Sequence, residues 1–273
     1  MEANVFYVRP HSIQKGMSFP VVLDIQKASL WKRISAFMFD GILFSVAAAL
    51  LALLLAHAVG YDGYRAALNE KYDHYAAEYS VPLNPTTAEY EAMSEADRAR
   101  FQAAYDAMGQ DGDAIYAYRM TLQLTVLILS FSLLFSYLLM EFLIPLLLKN
   151  GQTLGKKIFS LGLMRVDGVK ISTLALFVRT VLGKYTLETM IPALVLLMLL
   201  LGAIGPLGWI VLGLIALVNV IVMAATKNHS LLHDLMAGTV VIDLPSQMIF
   251  DTPEAMIAYK EQLEAQSAVH DPY

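Results

Sequence analysis

The chain has 273 residues, of which 57% are hydrophobic and 16% charged, and its mean hydropathy is +0.55. An average soluble domain is about 45–50% apolar and about 25% charged, so this composition excludes a disordered chain and argues against a water-soluble globule. The formal net charge is -5 and cysteine is absent, which excludes disulfides, cysteine-ligated metals and cysteine nucleophiles.

The charges lie in blocks between the long apolar runs. Segment 1–33 carries a net charge of +3 and segment 149–186 carries +6, whereas segment 60–119 carries -6 and the tail from residue 225 carries -5. Lys and Arg near the ends of spanning helices mark the cytoplasmic side of a membrane. The sequence therefore predicts a multi-pass protein of a bacterial inner membrane with both termini in the cytoplasm.

Four membrane spans are predicted, at about 34–58, 120–148, 186–204 and 207–225. The first two are each long enough to cross the hydrocarbon, which needs about 20 residues. We expect the first to be retained and not cleaved as a signal peptide, because about thirty polar and mixed residues precede it. The uncharged run 189–226 is too long for one crossing, and Gly202, Gly205 and Pro206 supply a turn within it.

Residues 60–119 form an acidic insertion between the first two spans, which we place in the periplasm. Thr86 with Glu89 and Ser94 with Asp97 have the spacing of helix N-terminal caps. We therefore predict helices that extend the two spans and bend back between Ser80 and Pro85. A flexible acidic loop is the alternative, because the insertion has few Leu, Ile or Val residues. In either form it could bind a protein partner.

The region between the second and third spans changes character. Asp167-Gly168 lies between two short apolar alternations, which is a strong signal for a β-hairpin. From 173 to 188 the pattern is typical of a helix lying along the cytoplasmic interface. A short helix ending at Gly238 and a strand over 239–244 are predicted next, and that strand could pair with the hairpin. The cytoplasmic tail, 245–273, contains a small polar helix.

No catalytic motif is found. The spacing of Gly151, Gly155 and Lys156 differs from that of a phosphate-binding loop, which has four residues between its glycines. His229 and His233 are four residues apart and could share a metal, but no acidic base lies between them, and ordinary hydrogen bonding is the favoured interpretation. A basic, aromatic groove for nucleic acid is not indicated either. We expect a protein that is not an enzyme and has no metal or cofactor.

Ionisable residues in apolar surroundings are the candidate functional groups. Arg33 and Asp40 are seven residues apart and share one helix face, and Glu141 lies at a similar depth in the second span. Charged side chains within spans are costly and usually functional, so Asp40 and Glu141 could face one polar cavity. The alternative is structural, with both acids buried in pairs with partners such as Arg179, Lys156 or Asn219.

Several of these segments together resemble the RDD family of membrane proteins. They are Leu30 to Ile34, Phe39 to Gly41, Glu141 to Lys156, the Asp167-Gly168 hairpin, Arg179, and His233 to Val241. The family is named for one arginine and two aspartates, which map to Arg33, Asp40 and Asp234, and its central motif maps to Gly151, Thr153, Gly155 and Lys156. The resemblance covers 28–58 and 120–244, whereas the acidic insertion and the tail depart from it. It implies a polytopic membrane protein, and cation/proton exchange has been proposed for some members.

The fold class predicted is an all-α integral membrane protein, a bundle of four spans with a long periplasmic loop, a small cytoplasmic β-hairpin and an interfacial helix. Three parts are predicted along the chain: 1–33, a membrane domain over 34–244, and 245–273. The leading functional hypothesis is a transporter that moves a cation or proton through the network of Arg33, Asp40, Glu141, Arg179, His233 and Asp234. Because four helices are few for a permeation path, transport implies a homo-oligomer in the lipid bilayer. The alternative is a scaffold or assembly factor that holds a partner protein through residues 60–119 or the cytoplasmic hairpin.

Overall fold

The computed structural model describes residues 25–148, 150–200, 202–226 and 230–270. Three basic residues of the segments predicted to be cytoplasmic lie outside this description: Arg9, Lys15 and Lys149. The candidate metal ligand His229 lies outside it as well. The chain divides into two compact units, one comprising residues 1–43 and 137–273 and the other 44–136.

Four helices in the described part of the chain are long and apolar enough to cross a membrane, which confirms the predicted fold class. The first is α1 (Leu30–Ala58), and the second is α5, which runs from Gly112 to Leu147. The third, α7, consists of Thr173–Phe177, Val178–Met190 and Ile191–Leu200 in succession, and the fourth is α8 (Leu207–Ala225). Their mean hydropathies lie between 1.4 and 2.5, so the protein is a multi-pass membrane protein.

The third span begins earlier in the structure than the sequence indicates. Sequence patterning predicts an interfacial helix over 173–188 and a span from about 186, whereas α7 continues without a break from Thr173. Its middle part, Val178–Met190, is wound with wide π-helical turns, which blur the ordinary helical periodicity. The predicted turn before α8 is confirmed, with Gly202 and Gly205 in the left-handed conformation.

The acidic insertion is helical and belongs to the unit 44–136. It contains α2 (Tyr61–Tyr79), α3 (Thr87–Ala92) and α4 (Glu95–Met108). Thr86 and Ser94 accept hydrogen bonds from the backbone N–H groups of Glu89 and Asp97, so both predicted caps are confirmed. The chain reverses after α2 at Ser80, whose φ is 51°. Regular capped helices exclude the flexible-loop alternative for this segment.

Aromatic residues give the insertion a small core of its own. Val81, Leu83 and Ala104 are buried in it, and seven partly buried residues pack against them, namely Tyr72, Tyr75, Ala76, Tyr79, Met93, Phe101 and Tyr105. Aromatic burial thus makes up for the small number of aliphatic residues in the insertion.

An ion pair joins α2 to the start of α5. Lys71 bonds the Asp111 carboxylate at 2.8 Å. This bond and the backbone N–H groups at the start of α5 lower the pKa of Asp111 to about 2.

The other unit contains a two-stranded sheet. Its strands are β1 (Leu161–Arg165) and β2 (Thr239–Asp243), which pair antiparallel with Leu163 opposite Val241. The predicted partner strand after Asp167-Gly168 is reduced to a single bridge between Met164 and Lys170, because Ser172 caps α7 and turns the chain out of the sheet. The predicted pairing with the strand near 239–244 is therefore present, but it is made by β1 alone.

Residues before α1 and after β2 add to this sheet. Lys27 forms a bridge to Ile242 on one edge, and Phe250 forms a bridge to Val169 on the other. One face packs on residues that include Ala36, Phe142 and Leu176 of the spanning helices. The opposite face is covered by Ile25, Leu244 and Ile249. The tail then ends in α10 (Pro253–His270).

Candidate functional site

Asp40 of α1 binds the start of a short helix, α6 (Leu154–Ile158). Its carboxylate accepts hydrogen bonds from the Thr153 hydroxyl at 2.5 Å and the Gly155 backbone N–H at 2.7 Å. Thr153 in turn caps α6 by accepting from the Lys156 N–H. Both oxygens of Asp40 are therefore occupied, and the carboxylate joins α6 to the first span.

Gly155 allows this close approach. A Cβ at position 155 would collide with the Ala36 backbone oxygen and lie 2.9 Å from the Asp40 carboxyl carbon. The family motif Gly151, Thr153, Gly155 and Lys156 therefore has a packing role here. Gly151 is also buried, with a φ of 60°, and a Cβ there would lie 2.9 Å from the Leu163 side chain.

We expect Gly155→Ala to destabilise the protein by about 1–3 kcal/mol, the usual cost of overpacking a tight contact. The Ala36 oxygen belongs to the backbone of α1 and cannot move away without bending the helix. Gly41→Ala is the matched control, because a Cβ at position 41 meets no atom within 4 Å and alanine favours a helix. Thermal unfolding in detergent measures both. An equal midpoint for the two variants would show that α6 does not need the glycine.

Glu141 of α5 forms an ion pair with Lys184 of α7. The Lys184 Nζ lies 2.5 Å from Glu141 Oε1, and the Lys184 and Glu141 side chains are 21% and 12% exposed. The other carboxylate oxygen, Oε2, is buried and has no hydrogen-bond partner. A buried carboxylate oxygen normally has a partner, so Glu141 retains an unused acceptor.

Both residues of this pair lie in wide-turn helix. Glu141 is within the π-helical segment Leu138–Leu143 of α5, and Lys184 is within Val178–Met190 of α7. In α7 the hydroxyls of Thr186 and Thr189 donate to carbonyls five residues earlier. Two threonine side chains thus add hydrogen bonds to the wide turns. Such segments are rare and occur frequently at functional sites.

A second ion pair joins α7 to the short helix α9 (Leu232–Ala237). Arg179 Nε donates to Asp234 Oδ1 at 2.7 Å, and the side chains are 4% and 1% exposed. Burial alone would raise the pKa of Asp234, but the charge of Arg179, the charge that His233 carries in acid and the bonds to this carboxylate lower it to about 2. Asp234 is therefore ionised at neutral pH and paired with Arg179.

His233 occupies the space between this pair and Glu188. Its Nδ1 lies 2.7 Å from Glu188 Oε2, and its backbone N–H donates to Glu188 Oε1 at 3.0 Å. Its Nε2 lies 3.1 Å from an Arg179 guanidinium nitrogen. His233 is buried, and a Cβ on Gly183 would lie only 2.6 Å from its Cβ. Glycine at 183 thus lets the histidine pack directly on α7.

Lys156 and Arg33 complete what we call the ionic cluster. Lys156 interacts electrostatically with Glu141, Asp40 and Arg179, and burial together with the nearby cations lowers its pKa to about 8. Arg33 interacts with Asp234 and Arg179. We define the cluster as four acids and four bases with His233 among them: Asp40, Glu141, Glu188, Asp234, Arg33, Lys156, Arg179 and Lys184. Its formal charge is therefore zero while His233 is neutral.

The structure thus brings the sequence-predicted residues together, but not in one cavity. Asp40 and Glu141 hydrogen-bond to different partners, and Asn219 donates to its own helix at Ile215. Sequence reasoning missed Lys184 as a partner. It left Glu188, an isolated acid just before the long uncharged run, out of the candidate site. Among the described residues, no group of three His, Asp or Glu side chains is arranged to hold a metal ion.

Comparison with protein families relates the chain to a family of membrane proteins. The sequence profile of the RDD family matches residues 27–238, which include every member of the ionic cluster. The chain belongs to the RDD family. Neither the curated proteins nor the solved structures contain a match.

The residues that map to the family's name have different partners in this RDD protein. Asp40 joins α1 to α6, whereas Arg33 and Asp234 interact electrostatically with each other. The match excludes most of the tail, and α10 lies entirely beyond it. The ionic cluster, and not the tail, is therefore the candidate functional site.

Proposed function

We propose that this RDD protein exchanges a monovalent cation for a proton across a bacterial inner membrane, with both termini in the cytoplasm. The Glu141–Lys184 pair carries the proposal. It is an ion pair between two spanning helices, both of its residues lie in wide-turn segments, and one carboxylate oxygen has no hydrogen-bond partner. Intramembrane ionisable residues that pair with one another commonly mark ion pathways and proton relays.

In this mechanism Glu141 is the exchanging acid and Lys184 is its internal counter-charge. When Lys184 moves away, the carboxylate binds either a proton or a cation, and its free oxygen supplies an acceptor. When Lys184 returns, it replaces the bound ion. The wide turns favour such a movement, because the carbonyls of Val181 and Lys184 also accept bonds from the hydroxyls of Thr186 and Thr189, which can change partners.

Asp40 has a different part in this proposal from the one that the sequence suggests. Its two oxygens are already bonded to Thr153 and Gly155, so it holds α6 and with it Lys156. The exchanging role therefore passes from Asp40 to Glu141. Because four spans are few for a complete path, the proposal includes assembly of the chain as a homo-oligomer.

The test compares Glu141→Gln with Asp40→Asn in sealed lipid vesicles. Proton movement is followed with a pH-sensitive dye after addition of Na⁺ or K⁺. Glu141→Gln removes the charge that must alternate between ions, so we expect the cation-driven proton flux to be lost. Asp40→Asn keeps a side-chain acceptor, so the flux per folded molecule should remain within about threefold of the native value, whatever the yield.

Glu254→Gln is the control, because Glu254 is exposed on α10 and lies outside the cluster. Flux that survives in Glu141→Gln but not in Asp40→Asn would return the exchanging role to Asp40. A native protein without flux for either cation would contradict transport. Copurification of a stoichiometric second protein would then favour the scaffold hypothesis.

A further inference from the structure

His233 lies across the wide-turn segment that carries Lys184. It contacts the first turn through Arg179, the middle through Gly183 and the last turn through Glu188. These three residues span most of Val178–Met190. A single side chain of α9 therefore touches the segment at both ends and in the middle.

The hydrogen-bond partners fix the protonation of the ring. A guanidinium only donates, so Nε2 must accept the bond from Arg179. The hydrogen is then on Nδ1, which donates to Glu188. The arrangement needs a neutral histidine, because a second hydrogen on Nε2 would point at a donor.

We infer that His233 is a positioning residue that holds the wide-turn segment of α7, and so keeps Lys184 opposite Glu141, and that protonation of its ring releases this hold. The consequence for transport rests on the proposed function, whereas the hold itself does not. Among the described residues, no hydrogen bond or ion pair joins the His233 side chain to Glu141 or Lys184, so it acts through the helix.

Burial and the charge of Arg179 favour the neutral form of the ring and outweigh the acids Glu188 and Asp234, which favour the charged form. Arg179 and Glu188 face it from α7, Asp234 faces it from its own helix, and Arg33 of α1 interacts with both Arg179 and Asp234. Asp234 Oδ2 lies 3.6 Å from Nε2, and turning it to accept a new proton would weaken its pairing with Arg179. Burial and Arg179 lower the pKa of His233, so the ring is neutral near neutral pH and becomes charged only in acid.

The experiment measures cation-driven proton flux in vesicles from about pH 8 to about pH 5, the range in which histidines titrate. His233→Gln removes the titration and keeps an acceptor near the position of Nε2. In the native protein the flux should fall in acid, where His233 becomes charged. We expect His233→Gln to shift this fall to a lower pH, by at least about one pH unit, which is a tenfold change in proton concentration. His74→Gln is the matched control, because His74 lies exposed on α2, where it contacts its neighbours Tyr75 and Glu78 and no residue of the ionic cluster.

The midpoint of thermal unfolding in detergent is measured over the same pH range. Because the pKa is lowered on folding, stability should fall as the pH drops below the ordinary pKa of histidine, and His233→Gln should flatten that fall. A flattened midpoint profile without flux in the native protein supports the hold and contradicts the proposed function. Unchanged midpoint and flux profiles in His233→Gln would overturn the inference. Should His233→Gln not fold, His233→Asn, which keeps the donor to Glu188, is measured in its place.

Discussion

Replacing Asp234 by asparagine should destabilise the protein by about 3–5 kcal/mol, because it leaves the Arg179 guanidinium buried without its counter-charge. The two side chains are almost inaccessible, and the Asp234 carboxylate also accepts the Thr239 hydroxyl at 3.0 Å. Asparagine has one acceptor oxygen and no charge, so it replaces only part of this bonding. The expected result is a large drop in the midpoint of thermal unfolding and in the yield of folded protein.

Asp243→Asn is the matched control for this prediction. Asp243 bonds Lys32 at 2.5 Å, but the side chains are 22% and 45% exposed, and exposed pairs are worth only about 0–1 kcal/mol. Equal losses in Asp234→Asn and Asp243→Asn would contradict a special role for the buried pair.

The low pKa of Asp234 also gives the direction in which stability changes with pH. Stability from this carboxylate is complete above its ordinary pKa and is lost as the pH falls toward about 2.

The second large effect is expected at Lys184. Lys184→Met should destabilise the protein by about 3 kcal/mol or more, because Glu141 would keep a buried charge after its bonded cation is removed. Glu141 Oε2 already has no hydrogen-bond partner, so little local bonding can compensate. The double variant Glu141→Gln with Lys184→Met should recover much of this stability, since it leaves neither charge unpaired.

Unfolding of the two single variants and the double variant forms a double-mutant cycle. Strong coupling is expected, with the double variant more stable than Lys184→Met alone. Additive losses would mean that the two side chains do not interact when the protein is in a membrane or detergent. The matched control is Lys157→Met, because Lys157 is exposed on α6 and takes no part in the cluster.

The features that sequence reasoning predicted are those with a local signal. Long apolar runs located the spanning helices, the Ser94 and Asp97 spacing indicated a cap, and Gly202 with Gly205 indicated the turn before α8. The cap and the turn depend on residues that are close together in the sequence, and each spanning helix depends on one continuous run of apolar residues. Such local features can be recognised before the fold is known.

The partners within the ionic cluster depended on distant contacts. Lys184 is 43 residues from Glu141, and Glu188 is 45 residues from His233. Sequence analysis placed Lys184 on an interfacial helix facing lipid headgroups, because it assumed ordinary helical periodicity there. The wide turns of Val178–Met190 rotate the side chains away from that pattern. Asp40 was recognised as important from its apolar surroundings, but its bond to Gly155 follows from a backbone N–H, which sequence cannot reveal.

The pairing of β1 with β2 has a consequence for biosynthesis. The ribosome makes β1 before the third and fourth spans and makes β2 after them, so the sheet can close only when the last span has left the ribosome. Until then the apolar side chains of Leu161, Leu163 and Met164, which are fully buried in the finished sheet, have no strand to cover them. Unpaired apolar strands of this kind are prone to aggregate. Closure of the sheet is thus a late step that joins the two halves of the membrane domain after insertion.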